Sequence, residues 1–193
     1  DINVTTNGLQ ESMMAVGKQL GSNAMLNKED LVTFTKLREQ AGLTNEVLGD
    51  MERFSLANGK SLEDNTGEFL AQAQITSQNN GVMLNTKQLM EETSKASDAI
   101  KLSLGGSSKE LAKAAATAKS LGMNLEQVDK IANSLLDFES SISSEIEAEL
   151  LTGKQLNLEQ ARYYALTNNL EGLTSEIAKN VGDMAGWQNM NRL

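Results

Sequence analysis

The sequence predicts an all-α fold, a multi-helix domain of amphipathic helices joined by short glycine turns, with one long central helix near residues 125–151. Three observations carry this. A helix-start pattern, a capping residue followed three positions later by an acid or amide, occurs at Asn27 (NKED), Asn85 (NTKQ), Ser107 (SSKE), Asn124 (NLEQ) and Asn157 (NLEQ). In that pattern the cap side chain satisfies a free amide of the first turn and the third residue reaches back. Glycines follow the apolar-periodic runs, where a left-handed residue closes a helix at low cost. Finally, the 193 residues contain no proline, which leaves every helix ladder uninterrupted.

Taken in order, the first helix covers residues near 6–20 and stops at Gly21, and the second, opened by Asn27, covers 28–41 and stops at Gly42. Helices over 45–58 and 62–80 end at Gly59 and Gly81. Asn85 opens 86–103, closed by Gly105 with Gly106, and Ser107 opens 108–121, closed by Gly122. From Asn124 the longest element runs over 125–151, with Leu125, Val128, Ile131, Leu135, Phe138, Ile142, Ile146 and Leu150 on one stripe, closed by Gly153. Spacings of three and four match the helical period, and at about 1.5 Å per residue such a helix would span ~40 Å, the spine of the domain. Asn157 opens 158–168, and 173–181 ends at Gly182. The chain reads as one helical region with a possible division into subdomains 1–106 and 107–193. The phrases beginning at Gly59, Gly122 and Gly153 share a plan of glycine, turn, cap and leucine, a hint of a helical-hairpin array that capping alone also produces.

Composition excludes several functions. With no Cys and no His, thiolate nucleophiles, histidine bases, disulfides and Cys/His zinc sites are absent. Chains without thiols suit either side of a membrane. Hydrophobic residues make up 39% and aromatics 4%, so the core is built from Leu, Ile, Val, Ala and Met. A net charge of −9, from 26 acidic and 17 basic residues, disfavours gripping phosphate backbones, and no direct nucleic-acid binding is expected. No window has the ~20 apolar residues a bilayer crossing needs. The start DINVTTNGLQ has neither Met nor a basic-then-apolar leader, so the chain is expected to be a fragment.

Each local candidate has a plainer reading. NGKS at Asn58–Ser61 ends like a phosphate-binding loop, but Phe54 stands where its first glycine belongs, and a helix joint is expected. DNTGEF from Asp64 fails as a calcium loop, with Ile75 in place of the bidentate acid. Asp137, Glu139, Glu145, Glu147 and Glu149 lie mostly off the apolar stripe and read as a solvated face. Of Tyr163 and Tyr164, about 100° apart on a helix, one is buried. Tyr164 and Trp187 are expected in the core rather than at an interface. Methionines at 13, 14, 25, 51, 83 and 90 fill gaps at helix ends more readily than they form a partner groove. The turn at Gly153 is expected to be a joint, with Leu150, Leu151, Leu156, Leu158 and Leu166 packing two helices together and Asn157 capping the second. No catalytic, cofactor-binding or metal-ligating residue is assigned.

Ser134–Gly182, SLLDFESSISSEIEAELLTGKQLNLEQARYYALTNNLEGLTSEIAKNVG, followed by GWQNMN at Gly186–Asn191, resembles a stretch of the tail tape measure proteins of tailed bacteriophages. KELAKAAATAKSLGMNLEQVDKIANSLLDFE, Lys109–Glu139, is similar to the segment that precedes it there. The likeness covers about 80 of the 193 residues. In one departure, this chain has TNNL from Thr167 where Gly-Asp is usual. The resemblance implies a structural virion protein in the lumen of the phage tail tube, not an enzyme. Such a protein sets tube length and is ejected ahead of the DNA. Implied partners are the tail tube, distal tail and baseplate proteins, further copies of itself (a trimer in the tube), and the host envelope on ejection. The alternatives are a helical partner-binding scaffold or a cell-wall-active domain of a tail protein.

Overall fold

A computed structural model describes residues 4–21 and 26–181. The fold is all-helical, with eleven α-helices and no strand among the described residues. They are α1 (Thr6–Leu20), α2 (Lys28–Glu39), α3 (Asn45–Asn58), α4 (Leu62–Asn79), α5 (Thr86–Ser94), α6 (Asp98–Ser103), α7 (Ser108–Ser120), α8 (Leu125–Leu135), α9 (Phe138–Thr152), α10 (Glu159–Leu166) and α11 (Leu170–Val181).

Capping chemistry sets the ends. The side chains of Asn27, Asn85, Ser107 and Asn124 each accept the amide three residues on, and at Asn124 the reciprocal bond from its own N–H to Gln127 Oε1 completes the box at 2.9 Å. Asn157 departs from the expectation. It precedes the α10 N-cap, Leu158, and its Oδ1 accepts from Glu159 N–H two residues on, at 3.2 Å. Every predicted stop glycine from Gly21 to Gly153 has positive φ; Gly182 lies outside the described residues.

Two predicted helices are each divided, and both breaks lie at a residue able to start a new helix. The 86–103 element ends at Ser94 and restarts after Ser97, whose hydroxyl accepts from Ile100 N–H. The expected long helix over 125–151 is likewise two helices, α8 and α9. Asp137 accepts from Ser140 N–H, and Ser134 Oγ bonds back to Ile131 C=O at 2.8 Å. Short polar side chains that bond the local backbone compete with the helical ladder, and here they end it.

The spine is α7 rather than the 125–151 segment. Nine of its thirteen residues are buried, among them Leu111, Ala112, Ala114, Ala115, Ala116 and Ala118, and it packs chiefly against α4 and α11. Alanine carries no bulk, so neighbouring axes can approach this helix closely from several sides. Around it lies one cluster of buried apolar side chains from Val16 to Ile177, with Phe34, Leu48, Leu62, Val128, Leu170 and Leu173 almost wholly enclosed.

Candidate functional site

The segment from Lys109 to Val181 spans α7 to α11, and its α9–α10 joint is held by a set of polar contacts. Gly153 closes α9 in the left-handed conformation, φ 66, and its N–H donates to Glu149 C=O at 2.8 Å. The turn that follows is then held by carboxylates of the helix it leaves. Leu156 N–H donates to Glu149 Oε1 at 2.7 Å, and Leu158 N–H donates to Glu145 Oε1 at 2.9 Å. Asn157 N–H donates to Asn180 Oδ1 at 3.2 Å, tying the turn to the end of α11.

Across the joint Arg162 of α10 is buried. Its Nε donates to Ser141 Oγ at 2.9 Å and its Nη2 pairs with Glu145 Oε2. A guanidinium removed from water needs such partners, since an unpaired buried charge is costly. The leucine joint expected from the sequence is therefore corrected. Leu150, Leu151 and Leu166 are exposed, and only Leu158 packs against the core cluster and Leu156 is partly covered. The acidic face is corrected in part as well. Asp137 caps α9, and Glu145 and Glu149 hold the turn, whereas Glu139 and Glu147 remain exposed.

Between α10 and α11 the chain takes a tight corner at TNNL. Asn168 has φ 54, and Asn169 Oδ1 accepts from Gly172 N–H at 2.8 Å. Asparagine tolerates the left-handed region better than most residues with a Cβ, and it is a strong N-cap. Changing Asn168 to Ala is expected to lower stability by about 1 kcal/mol while Asn168→Gly costs nothing, as read from urea midpoints. Equal losses for the two would remove the backbone explanation.

The tyrosines divide as expected. Tyr163 is exposed and Tyr164 packs against the core, their rings 5.9 Å apart. The Tyr164 ring lies over Gly172, where an added Cβ would come within 2.7 Å of ring carbons. Gly172→Ala is thus expected to destabilise by ~1 kcal/mol or more, overpacking outweighing helix propensity. Gly67→Ala in α4, with nothing within 4 Å of its Cβ, should stabilise by about 0.5 kcal/mol. Thermal melts of the two variants test the contrast. Trp187 and Met25 lie outside the described residues. Met51 and Met90 join the core, and Met13, Met14 and Met83 are exposed.

NGKS is a helix joint, in which Gly59 closes α3 and Ser61 caps α4. Asn58 Nδ2 donates to Asn65 Oδ1 at 2.8 Å and to Gly106 C=O at 3.1 Å, and Ser55 and Ser108 complete a satisfied buried network joining α3, α4 and α7. The open cleft beside it borders Arg53, Lys60 and Lys101. Each of these cations is engaged, by Asp50, by Glu68 at 2.7 Å, and by Ser94 C=O at 2.8 Å. Asp64 to Phe69 lie within α4.

One titratable group was not singled out from the sequence. Glu52 of α3 is buried, its Oε2 has no hydrogen-bond partner among the described residues, and burial followed by repulsion from Asp30 raises its pKa to about 7. Asp30 itself is committed, accepting from Leu62 N–H at 3.1 Å and from Asn27 Nδ2 at 2.6 Å. The available signal was position, because Glu52 stands four residues after Leu48 on the face that also holds Val47 and Ser55. With Asp30 occupied in capping α4 and Glu52 sealed under packed helices, the pair has no open face to offer a substrate. Among the described residues no group of three or more acids gathers as a metal would require.

These features define an all-helical protein whose polar groups are used mainly to end and join helices. Compared with known proteins, the chain matches no family model, no curated protein and no solved structure.

Proposed function

We propose that the chain is a segment of a phage tail tape measure protein, a virion component housed in the tail tube that sets its length and leaves ahead of the DNA. The observation that carries the reading is the ordered phrase over Ser134–Gly182. It is strengthened at its one departure, where Asn168 and Asn169 take the left-handed and capping roles that Gly-Asp would take. Helices held by local caps and glycine turns, in a chain without cysteine, suit a protein that must pass through a tube and refold, because segments with few cross-links open at low free energy. Its partners would be tube, distal tail and baseplate proteins and further copies of the chain.

The test is an in-frame deletion of these residues in the phage that encodes them, with tail lengths read by electron microscopy. Removing 193 residues should shorten the tail, by at most roughly 290 Å if they lie in the tube as one extended helix at ~1.5 Å per residue. Tails of unchanged length overturn the ruler role. Release of soluble fragments from purified peptidoglycan by the isolated chain would favour a cell-wall-active domain instead.

A further inference from the structure

Helix α9 touches the protein along a narrow strip. Its only buried residue is Ser141, and it is held through Glu145 and Glu149. Its apolar residues recur every four positions and wind from the edge of that strip out to solvent, with Phe138 45%, Ile142 46%, Ile146 52% and Leu150 81% exposed. A surface helix ordinarily buries such a stripe and exposes its acids. Here the row is left half to mostly uncovered, and an i, i+4, i+8 row is the ridge by which one helix packs into the groove of another. We propose that this ridge is a docking surface for a basic amphipathic helix of another protein.

The charge around the ridge selects the occupant. The segment between Ile131 and Gly153 has no lysine or arginine; of its five acids Asp137, Glu145 and Glu149 are engaged within the protein, which leaves Glu139 and Glu147 to set the charge of the surface. Glu139 and Glu147 are exposed beside the stripe. A second copy of α9 laid on the first would bring like charges together with no cation in either segment to offset them, and an anionic bilayer would meet the same repulsion. A helix with leucine-like residues along one face and lysines or arginines at its margins satisfies both the apolar row and the acids. This inference does not depend on the tape-measure assignment.

The experiment titrates the whole chain with two synthetic helical peptides, one of leucine and lysine and one of leucine and glutamate, by calorimetry. Sedimentation of the chain alone and the emission of Trp187, its single tryptophan, are followed in parallel. The leucine–lysine peptide is expected to bind one to one, more weakly as salt rises from about 0.05 to about 0.5 M. The double change Ile142→Ser with Ile146→Ser should weaken it about tenfold or more. The leucine–glutamate peptide should not bind. Both isoleucines are half exposed, and helicity by circular dichroism confirms folding; Leu150→Ser serves as an independent second variant. Equal affinity for wild type and both variants overturns the proposal, as would self-association abolished by the variants. A red shift of Trp187 emission in the variants would make the chain's own residues 182–193 the occupant and overturn it too.

Discussion

Replacing Arg162 with alanine is expected to release α9 from the protein while leaving the centre folded. Arg162 is the cation that holds this helix, through Ser141 Oγ at 2.9 Å and through Glu145, with both charged side chains at most 13% exposed. Removing one partner of a buried ion pair strands the other, at a cost of ~3 kcal/mol. Because α9 fully buries no apolar side chain, its remaining hold is the half-covered Phe138, Ile142 and Ile146 and the turn bonds to Glu145 and Glu149. The loss should appear in hydrogen exchange as roughly 100-fold faster exchange over 138–152, since 1.4 kcal/mol is a factor of ten. Amides of α4 and α7 should exchange as before. Arg162→Lys keeps the charge but not the planar fork, and should fall between the two. Unchanged protection of α9 in Arg162→Ala would mean that the ion pair does not hold the helix.

Stability is expected to fall as pH rises from about 4.5 to about 7, and Glu52 is the reason. Its carboxyl is raised from 4.5 to about 7 by burial and by Asp30. In that window the folded state therefore holds a proton that the unfolded chain has released, and unfolding becomes easier with each rise in pH. The stabilisation is fully present below pH 4.5 and is lost by the time Glu52 ionises in the folded state. At 1.36 kcal/mol per pKa unit the loss is at most about 3 kcal/mol. Facing helices carry other charges, including Glu11 and Lys18 on α1, Asp64 on α4 and Lys87 on α5, yet only Asp30 contributes to the shift. With no histidine in the sequence, no other side chain has its ordinary pKa in the middle of this range. Glu52→Gln should flatten the profile and raise the urea midpoint at pH 8. A slope that survives the substitution would place the titration elsewhere.

Helix starts and stops were legible because their chemistry is local. Asn124 and Gln127 need only each other's backbone, and Gly59 and Gly153 need only a left-handed turn. The Tyr163–Tyr164 division was legible for a similar reason, since neighbours on a helix cannot face the same way. The break at Asp137 was masked by continuous apolar spacing from Leu125 to Leu150. Periodicity reports where a helix face points, not whether the ladder beneath it is unbroken, and Asp137, read from the sequence only as part of a solvated face, caps α9. The polar joint at Gly153 was hidden because Glu145 and Arg162 are 17 residues apart, and their meeting requires the turn to be folded already.

By itself, then, the sequence determined an all-helical, acidic chain without thiols or imidazoles, cut into short helices at definite caps and glycines, because each of those choices is settled within three or four residues. Only the tertiary structure decided which helix became the centre and which face was left outside. Alanine-rich α7 took the centre since small side chains admit neighbours from every side. The apolar row of α9 was left half to mostly uncovered since Ser141 and Glu145 anchor that helix to Arg162 along a narrow strip, a balance of long-range contacts that no local pattern encodes.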